Sequence, residues 1–215
     1  MVRVKICGLK DLSMAMAAVE AGADALGFVF AQSVRQVAPK EARDIIRELP
    51  PYVAKVGVFV DEPRERLEEI TAYCGLDVIQ LHGSETPEYC RGLQRPVVKA
   101  IRVKDEASLE ILGVYSQIPS DRCRIAGFLL DTYRPGQAGG TGETFNWDLA
   151  LKAKEYGKPI ILAGGLNPEN VRDAVVTTRP YGVDVSSGVE TDGIKDPAKI
   201  MQFIRQVRGN INDCI

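Results

Sequence analysis

The 215-residue sequence has very little histidine and no excess of charge of either sign. His82 is the single histidine and no cysteine pair shows the C-x-x-C spacing typical of zinc sites, so we expect no metal. The 27 basic and 29 acidic residues give a net charge of -2 without a basic stripe, which argues against a nucleic-acid partner. No apolar run approaches the ~18 residues needed to cross a bilayer, so we expect no membrane partner.

The cysteines are odd in number and do not indicate a disulfide framework. They are Cys7, Cys74, Cys90, Cys123 and Cys214. The opening segment MVRVKICGLK enters an alternating strand pattern directly, without a charged leader or an apolar segment typical of export. The sequence therefore predicts a cytoplasmic protein with reduced thiols.

Short Val- and Ile-rich runs alternate with amphipathic helical patterns along the whole chain. We predict strands at 2–7, 25–30, 54–60, 78–82, 97–103, 127–131, 159–163 and 182–187. Eight consecutive strand–helix units without a linker indicate one α/β domain over residues 1–215, a (β/α)8 TIM barrel with parallel strands. An open, doubly wound sheet is the alternative, but the segment KICGLKD lacks the glycine-rich fingerprint expected after its first strand.

Strand alternation predicts which side chains face the inside of such a barrel. In the first strand, Val4 and Ile6 should face the helices, whereas Lys5 and Cys7 should face the interior. The same parity directs five further polar side chains inward or to the mouth: Gln80, His82, Asp131, Asp184 and Ser186. Because barrel interiors are usually apolar, polar side chains near the carboxyl ends of the strands indicate a site there.

Glycine and serine follow the last two predicted strands, where barrel enzymes commonly hold a phosphate group. Strand seven ends in LAGGLNPENV, which leads into a helix expected to start near Pro168, and strand eight ends in DVSSGVE. Either segment alone would be an ordinary tight turn, whereas the two together favour a phosphate site. The predicted phosphate-binding residues are Gly164, Gly165, Ser186, Ser187 and Gly188.

Cys7 and Asp131 are candidates for an acid–base pair, because they end strands one and six and would reach one mouth. A thiolate is a competent base if a cation lowers its pKa, and Lys5 lies on the same strand face. The alternatives are a buried apolar thiol for Cys7, and for Asp131 a capping role or a salt bridge to Arg134. Arg35, in the loop after strand two, could bind a carboxylate through two donors or be a solvated surface residue.

Other polar residues are open to two interpretations. Gln80 and His82 could hydrogen-bond substrate hydroxyl groups or form an interior network. Lys5, Lys99 and Asp184 could touch a ligand or form ion pairs. The segment RPGQAGGTGETFNW, residues 134–147, has four glycines and could cover a bound ligand or be a plain loop.

Several segments together resemble the phosphoribosylanthranilate isomerase family of tryptophan biosynthesis. In chain order they are KICGL, GFVF followed by S-x-R, GVFVD, IQLHG, LLDT, GGTGxxFNW, LAGGLNPENV and GVDVSSGVE. The resemblance covers essentially the whole chain. It implies a cofactor-free Amadori rearrangement of a phosphorylated small molecule, N-(5'-phosphoribosyl)anthranilate, to 1-(2-carboxyphenylamino)-1-deoxyribulose 5-phosphate. A monomer and a homodimer both remain open.

The resemblance also implies roles for individual residues. Asp131 matches the general acid that protonates the furanose ring oxygen, and Cys7 matches the base that removes the C2 proton. Arg35 matches the arginine that receives the anthranilate carboxylate, while the glycines and serines after strands seven and eight match the phosphate site. The family often has Ser-Pro-Arg before this arginine, but Val34 replaces the proline here, so we expect a less rigid loop.

A sugar-phosphate barrel could also be another kind of enzyme or a non-catalytic binding protein. A Schiff-base aldolase would use Lys99 or Lys5 as its nucleophile, whereas a metal-dependent epimerase would need more histidine than the chain has. A non-catalytic sugar-phosphate-binding barrel would keep the phosphate site without turnover. The presence of both Cys7 and Asp131 argues against it.

Overall fold

The structure is a computed structural model that describes residues 1–119, 124–132 and 147–209. Eight parallel strands form a closed barrel in chain order, surrounded by helices. The barrel strands are β1 Arg3–Cys7, β2 Ala25–Val29, β3 Ala54–Phe59, β4 Val78–Leu81, β5 Val97–Val103, β6 Ile125–Thr132, β7 Ile160–Leu162 and β8 Gly182–Val185. The helices are α1 Leu12–Glu20, α2 Pro39–Arg47, α3 Arg64–Cys74, α4 Pro87–Cys90, α5 Glu110–Ser116, α6 Trp147–Ala153, α7 Val171–Thr178 and α8 Pro197–Arg208.

All eight predicted strands are confirmed, and the barrel closes because β1 pairs with both β2 and β8. Lys5, for example, pairs with Ala25 on one side and with Asp184 on the other. An open doubly wound sheet would leave two unpaired edges, so that alternative is wrong. A short antiparallel hairpin, β9 Glu190–Thr191 and β10 Ile194–Lys195, lies between β8 and α8.

The core has two layers, as strand alternation predicts. Val4 and Ile6 are fully buried in the large apolar cluster between the strands and the helices. Ala100, Leu129 and Ala163 form a separate small cluster. Alternation along β5 and β6 assigns this cluster to the barrel interior, which leaves the remaining interior space to polar side chains. No helix among the described residues is long and apolar enough to span a bilayer.

Helix α7 begins at Val171 and not near Pro168, so that predicted start is wrong. The reason is a side-chain turn before the helix. Asn167 Oδ1 accepts hydrogen bonds from the backbone N–H groups of Glu169 and Asn170, both at 3.0 Å, and Asn170 Oδ1 accepts from Asn167 N at 2.9 Å. Asparagine side chains that bond to nearby backbone in this way compete with helical hydrogen bonds and delay the helix.

An ion cluster joins the first strand to the last helix at the amino-terminal face of the barrel. Asp24 bonds Arg3 Nη1 at 2.8 Å, Val4 N at 2.8 Å and Arg208 Nη2 at 2.9 Å. Burial alone would raise the pKa of Asp24, but these hydrogen bonds and charges lower it. Arg208 Nη1 also lies 2.6 Å from Met1 Sδ. The cluster therefore connects β1, the first strand of the barrel, to α8, the helix that follows the last strand.

Candidate active site

Polar side chains gather at the carboxyl mouth of the barrel. Cys7 is the last residue of β1, and Asp131 is the last but one of β6. Their alternation with Ile6 and Leu130, both in the outer core, directs both side chains to the inner face. The Asp131 side chain is 28% exposed, so a ligand in the mouth can reach it. The predicted convergence of these two residues at one end of the barrel is thus present.

The Cys7 thiol is buried, with the residue 7% exposed, and has charged neighbours. Burial raises the pKa of Cys7, Lys5 lowers it, and Asp184 raises it again, with the net direction upward. The sequence offered Lys5 as a cation that could bring this pKa toward neutrality, but the effect of Lys5 does not outweigh that of burial here. Lys5 Nζ lies 2.9 Å from Asp184 Oδ1 in a buried ion pair, so much of its charge is already balanced.

The Lys5–Asp184 pair resolves one of the alternatives left open by the sequence. Both residues are 8% exposed, and they pair directly across β1 and β8, two positions before Cys7 and Ser186. Burial would lower the pKa of Lys5, but Asp184 and Cys7 more than offset this effect and raise it. The pair lies beneath the mouth as an interior ion pair. Direct contact between Asp184 and the substrate stays a prediction.

Asp131 belongs to a hydrogen-bonded chain with His82 and Gln80. His82 Nε2 lies 3.2 Å from Asp131 Oδ2, and Gln80 Nε2 lies 3.3 Å from His82 Nδ1. With Nδ1 accepting from the glutamine amide, the imidazole proton lies on Nε2 and is donated to Asp131. This network orients the carboxyl group through its Oδ2 atom. The two residues thus form the interior network that the sequence left as one of two possibilities.

Arg35 forms a bidentate ion pair with Glu190. Its Nε donates to Oε1 at 2.8 Å, and its Nη2 donates to Oε2 at 2.7 Å. Lys195 Nζ donates to the same carboxylate at 2.5 Å and also to Ser186 O at 3.0 Å. Although burial opposes the shift, Arg35 and Lys195 lower the pKa of Glu190 to about 2. On this side, the mouth therefore carries two positively charged side chains, Arg35 and Lys195, and one negatively charged side chain, Glu190.

The loop that holds Arg35 is fixed by hydrogen bonds, although it has Val34 where the family often has proline. Arg35 N donates to Ser33 Oγ at 3.2 Å, and Gln36 N donates to Ser33 O at 3.1 Å. Lys10 Nζ donates to Val34 O at 3.1 Å. The Val34 side chain points into solvent and is 82% exposed.

The loops after β7 and β8 lie against each other, as a shared phosphate site requires. A Cβ atom at Gly188 would lie 1.9 Å from Leu166 O, so only glycine permits this contact. Gly164 and Gly165 have φ values of 76° and 69°, in the region that favours glycine. A short 3-10 turn, Ser187–Val189, follows β8. Its first N–H groups, on Ser187 and Gly188, precede the turn's own hydrogen bonds and can receive an anion.

Lys99 does not belong to the barrel interior. It shares the outer face of β5 with Val97 and Ile101, which lie in the core beneath the helices. Its ammonium group donates to Glu85 Oε2 at 2.9 Å and to Gly83 O at 2.6 Å, and the residue is 2% exposed. The interpretation of Lys99 as an aldolase nucleophile is therefore wrong, because it cannot meet a ligand in the mouth.

Three polar residues at the mouth were missed by the sequence analysis. Glu190 and Lys195 belong to the hairpin after β8, whose two-residue strands are too short to show a pattern. Arg102 lies beside Asp131 in the β5–β6 pairing and on the same face as Ala100. Alternation along β5 could have identified Arg102. The predicted cover, residues 134–147, and Arg134 fall outside the described residues except for Trp147.

Other classes of site find no support in the described part of the chain. No group of three or more His, Cys, Asp or Glu side chains there could hold a metal ion. Cys7, Cys74 and Cys90 form no disulfide among the described residues. Cys123 and Cys214 are not among the residues described.

A closed (β/α)8 barrel with a thiol, a carboxyl group and cationic side chains at its carboxyl mouth is typical of barrel enzymes, which carry their active sites at this end. The family model for N-(5'-phosphoribosyl)anthranilate (PRA) isomerase matches residues 4–206. The chain belongs to this family.

Relatives with the same name are similar over nearly their full length. The N-(5'-phosphoribosyl)anthranilate isomerase of Moorella thermoacetica is 56% identical over 208 residues, which cover 97% of this chain and 90% of the relative. The crystal structure of phosphoribosyl anthranilate isomerase from Thermotoga maritima has a TM-score of 0.88 and 45% identity, covering 98% of this chain and all of that chain. Another solved isomerase, in complex with reduced 1-(o-carboxyphenylamino)-1-deoxyribulose 5-phosphate, has a TM-score of 0.85, 43% identity and coverages of 98% and 100%.

Proposed function

We propose that Cys7 and Asp131 are the base and the acid of the aldose–ketose isomerisation that this chain catalyses in tryptophan biosynthesis. The substrate is N-(5'-phosphoribosyl)anthranilate, as the family and its named relatives indicate. The observation that supports these roles best is the position of both side chains on the inner face, at the carboxyl ends of β1 and β6. A substrate lying across the mouth would have one group on each side.

Asp131 acts first in this proposal. Its protonated carboxyl group donates a proton to the furanose ring oxygen while the bond from that oxygen to C1 breaks. The nitrogen lone pair of the substrate then forms a C1=N iminium ion. The hydrogen bond between His82 Nε2 and Asp131 Oδ2 keeps the carboxyl group oriented during this step.

Cys7 acts second, as a thiolate. It removes the proton from C2, and the electron pair of that bond forms the C1=C2 double bond of an enolamine, which tautomerises to the ketone. Burial raises the pKa of Cys7, so the thiolate needs extra stabilisation. The positive charge of the iminium ion develops in the mouth, next to the thiol, and favours the charged form at this stage of the reaction.

Binding groups at the two ends of the substrate would keep the ribose between acid and base. We assign the phosphate to the loops after β7 and β8, with Gly164, Gly165, Ser186, Ser187 and Gly188. We assign the anthranilate carboxylate to Arg35. Fixed anion sites on either side of the reacting carbons supply the orientation on which such a rearrangement depends.

Two substitutions test the roles of acid and base. With substrate generated in situ, loss of anthranilate fluorescence should be rapid for the wild type. Cys7→Ala and Asp131→Asn should lower kcat by about 10² to 10⁴-fold, as for removal of a positioned acid or base. Cys74→Ala and Asp173→Asn make the same changes on outer helices and should keep full activity. Both active-site variants should still bind a reduced product analogue, and near-normal turnover in either one would reject its role.

The proposal includes the remaining sequence-based expectations. The chain forms one catalytic domain over residues 1–215, needs no cofactor and acts in the cytoplasm. Mass spectrometry of the purified protein with metal and cofactor analysis tests whether it needs no cofactor. Sedimentation of the full chain distinguishes the monomer from the homodimer.

A further inference from the structure

We infer that Glu190 is a positioning residue, which holds one edge of the Arg35 guanidinium so that the opposite edge can bind the carboxylate of the substrate. This inference rests on the proposed role of Arg35. It adds a residue to which the sequence analysis gave no role. Glu190 itself would touch neither the substrate nor the reacting atoms.

The geometry of the ion pair supports this role. A guanidinium group has five N–H donors in a planar fork, with one bidentate edge formed by Nε and Nη2 and another formed by Nη1 and Nη2. Glu190 occupies the first edge completely, through contacts of 2.8 and 2.7 Å. No described residue accepts a hydrogen bond from Nη1 of Arg35. A second carboxylate can therefore bind the outer edge without displacing the first.

Glu190 is suited to this task because it is itself held on three sides. Its carboxylate accepts a hydrogen bond from Lys195, and its backbone carbonyl accepts one from Lys199 Nζ at 2.8 Å. Glu190 and Lys195 also pair across the β9–β10 hairpin. The Glu190 side chain is only 8% exposed. An arginine bound to so rigid a carboxylate loses less conformational entropy when its ligand arrives.

The path of the Arg35 side chain brings it next to the reacting thiol. A Cβ atom at Gly8 would lie 2.7 Å from Arg35 Cδ and 3.3 Å from Arg35 Cβ. The arginine stem thus crosses directly over the residue that follows Cys7. Gly8 has a φ of +82°, so the turn at the end of β1 also favours glycine. Fixing this guanidinium fixes an anion site beside the base.

Charge also favours binding at the outer edge. Arg35 and Lys195 carry two positive charges, and Glu190 balances only one of them. The pKa of Glu190 is about 2, so the carboxylate remains charged throughout the working range of an enzyme. The surplus positive charge attracts an anionic ligand.

The test compares two inhibitors that differ only in one carboxyl group. They are reduced 1-(o-carboxyphenylamino)-1-deoxyribulose 5-phosphate and its 1-phenylamino counterpart. The ratio of their inhibition constants measures how strongly the protein prefers the carboxylate. We expect Glu190→Gln to reduce this ratio roughly tenfold or more, the size expected for loss of a charge-assisted hydrogen bond. Substrate KM should rise much more than kcat falls, and the phenylamino inhibitor should bind nearly as before.

Three variants make the result decisive. Arg35→Ala should abolish the carboxylate preference. Glu155→Gln removes a carboxylate from an exposed turn before β7, at the other end of the barrel, and should change nothing. Lys195→Met removes a partner of Glu190 and the surplus positive charge, so it should lower the carboxylate preference and also weaken both inhibitors through Ser186 beside the phosphate loops.

The outcomes separate this inference from the proposed function. If Arg35→Ala keeps the preference, the role of Arg35 fails and the inference fails with it. If Arg35→Ala loses the preference but Glu190→Gln keeps it, only the positioning role of Glu190 is wrong. Equal weakening of both inhibitors by Glu190→Gln would show a merely structural role and also overturn the inference. If Glu190→Gln does not fold, Glu190→Asp decides, since its shorter side chain should still reduce the preference.

Discussion

Gly27 provides the space that the Cys7 thiol occupies, and filling this space should lower both activity and stability. Gly27 pairs with Cys7 across β1 and β2, and its missing side chain would point into the barrel. A Cβ atom here would lie 2.8 Å from Cys7 Sγ, 3.0 Å from Lys5 Cε and 3.1 Å from Cys7 Cα. Ordinary contact begins at 3.4 Å, so in Gly27→Ala the methyl group and the thiol must separate by about 0.6 Å.

This displacement sets the expected size of the effect. A misplacement of ~1 Å in a reacting group can cost about 10²-fold in rate, so we expect Gly27→Ala to lower kcat roughly tenfold. Overpacking costs about 1 to 3 kcal/mol, but replacing glycine in an allowed conformation returns roughly 0.4 to 1 kcal/mol. The net loss in the free energy of unfolding should therefore lie in the range of about 0 to 2.6 kcal/mol.

The assay combines steady-state fluorescence kinetics with urea denaturation. Gly113→Ala, in the middle of α5, is the matched control, since its nearest neighbour, Tyr156 Cε1, lies at 3.4 Å. It should leave kcat unchanged and stabilise the helix by about 0.5 to 1 kcal/mol. A Gly27→Ala enzyme with kcat within twofold of the wild type would refute the argument that the Cys7 position limits catalysis.

The remaining predictions concern proton equilibria and buried charge. Because burial raises the pKa of Cys7, kcat/KM should increase with pH from about 7 to 9, and a flat profile would contradict a thiolate base. Folding lowers the pKa of Asp24. The stabilisation that its carboxylate contributes is therefore present above about pH 3.9, the ordinary pKa of aspartate, and is lost as the pH falls through the lower pKa of the folded state. Asp24→Asn should therefore flatten the acid side of the urea stability curve. Glu85→Gln leaves Lys99 buried without its carboxylate and should lower the free energy of unfolding by about 3 to 5 kcal/mol; a loss below ~1 kcal/mol would argue against the pair.

The sequence predicted the fold well because each strand carries its own local signal. Val4 and Ile6 alternate with Lys5 and Cys7, and this two-residue period assigned each side chain to the correct face of β1. The start of α7 was missed because side-chain hydrogen bonds, which periodicity does not report, replace the first helical turn.

The candidate site was predicted in part. Positions at strand ends indicated Cys7 and Asp131, since barrel geometry alone brings such ends together. The partner of Arg35 is 155 residues away in sequence, on a hairpin of two-residue strands, so no local pattern indicates it. The pKa of Cys7 depends on burial and on Lys5 and Asp184 together. A strand pattern identifies these neighbours but does not show which of their opposing effects on the pKa is larger.

The contact between Met1 and Arg208 indicates where a circular permutant of the chain could be joined. A short new connection there would join the first βα unit to the last on the side away from the reacting groups. The polypeptide could then be cut in a loop of that same face, between two other units, to give a circular permutant. Such a protein would present its new termini far from the ligand and keep the original order of neighbours around the ring.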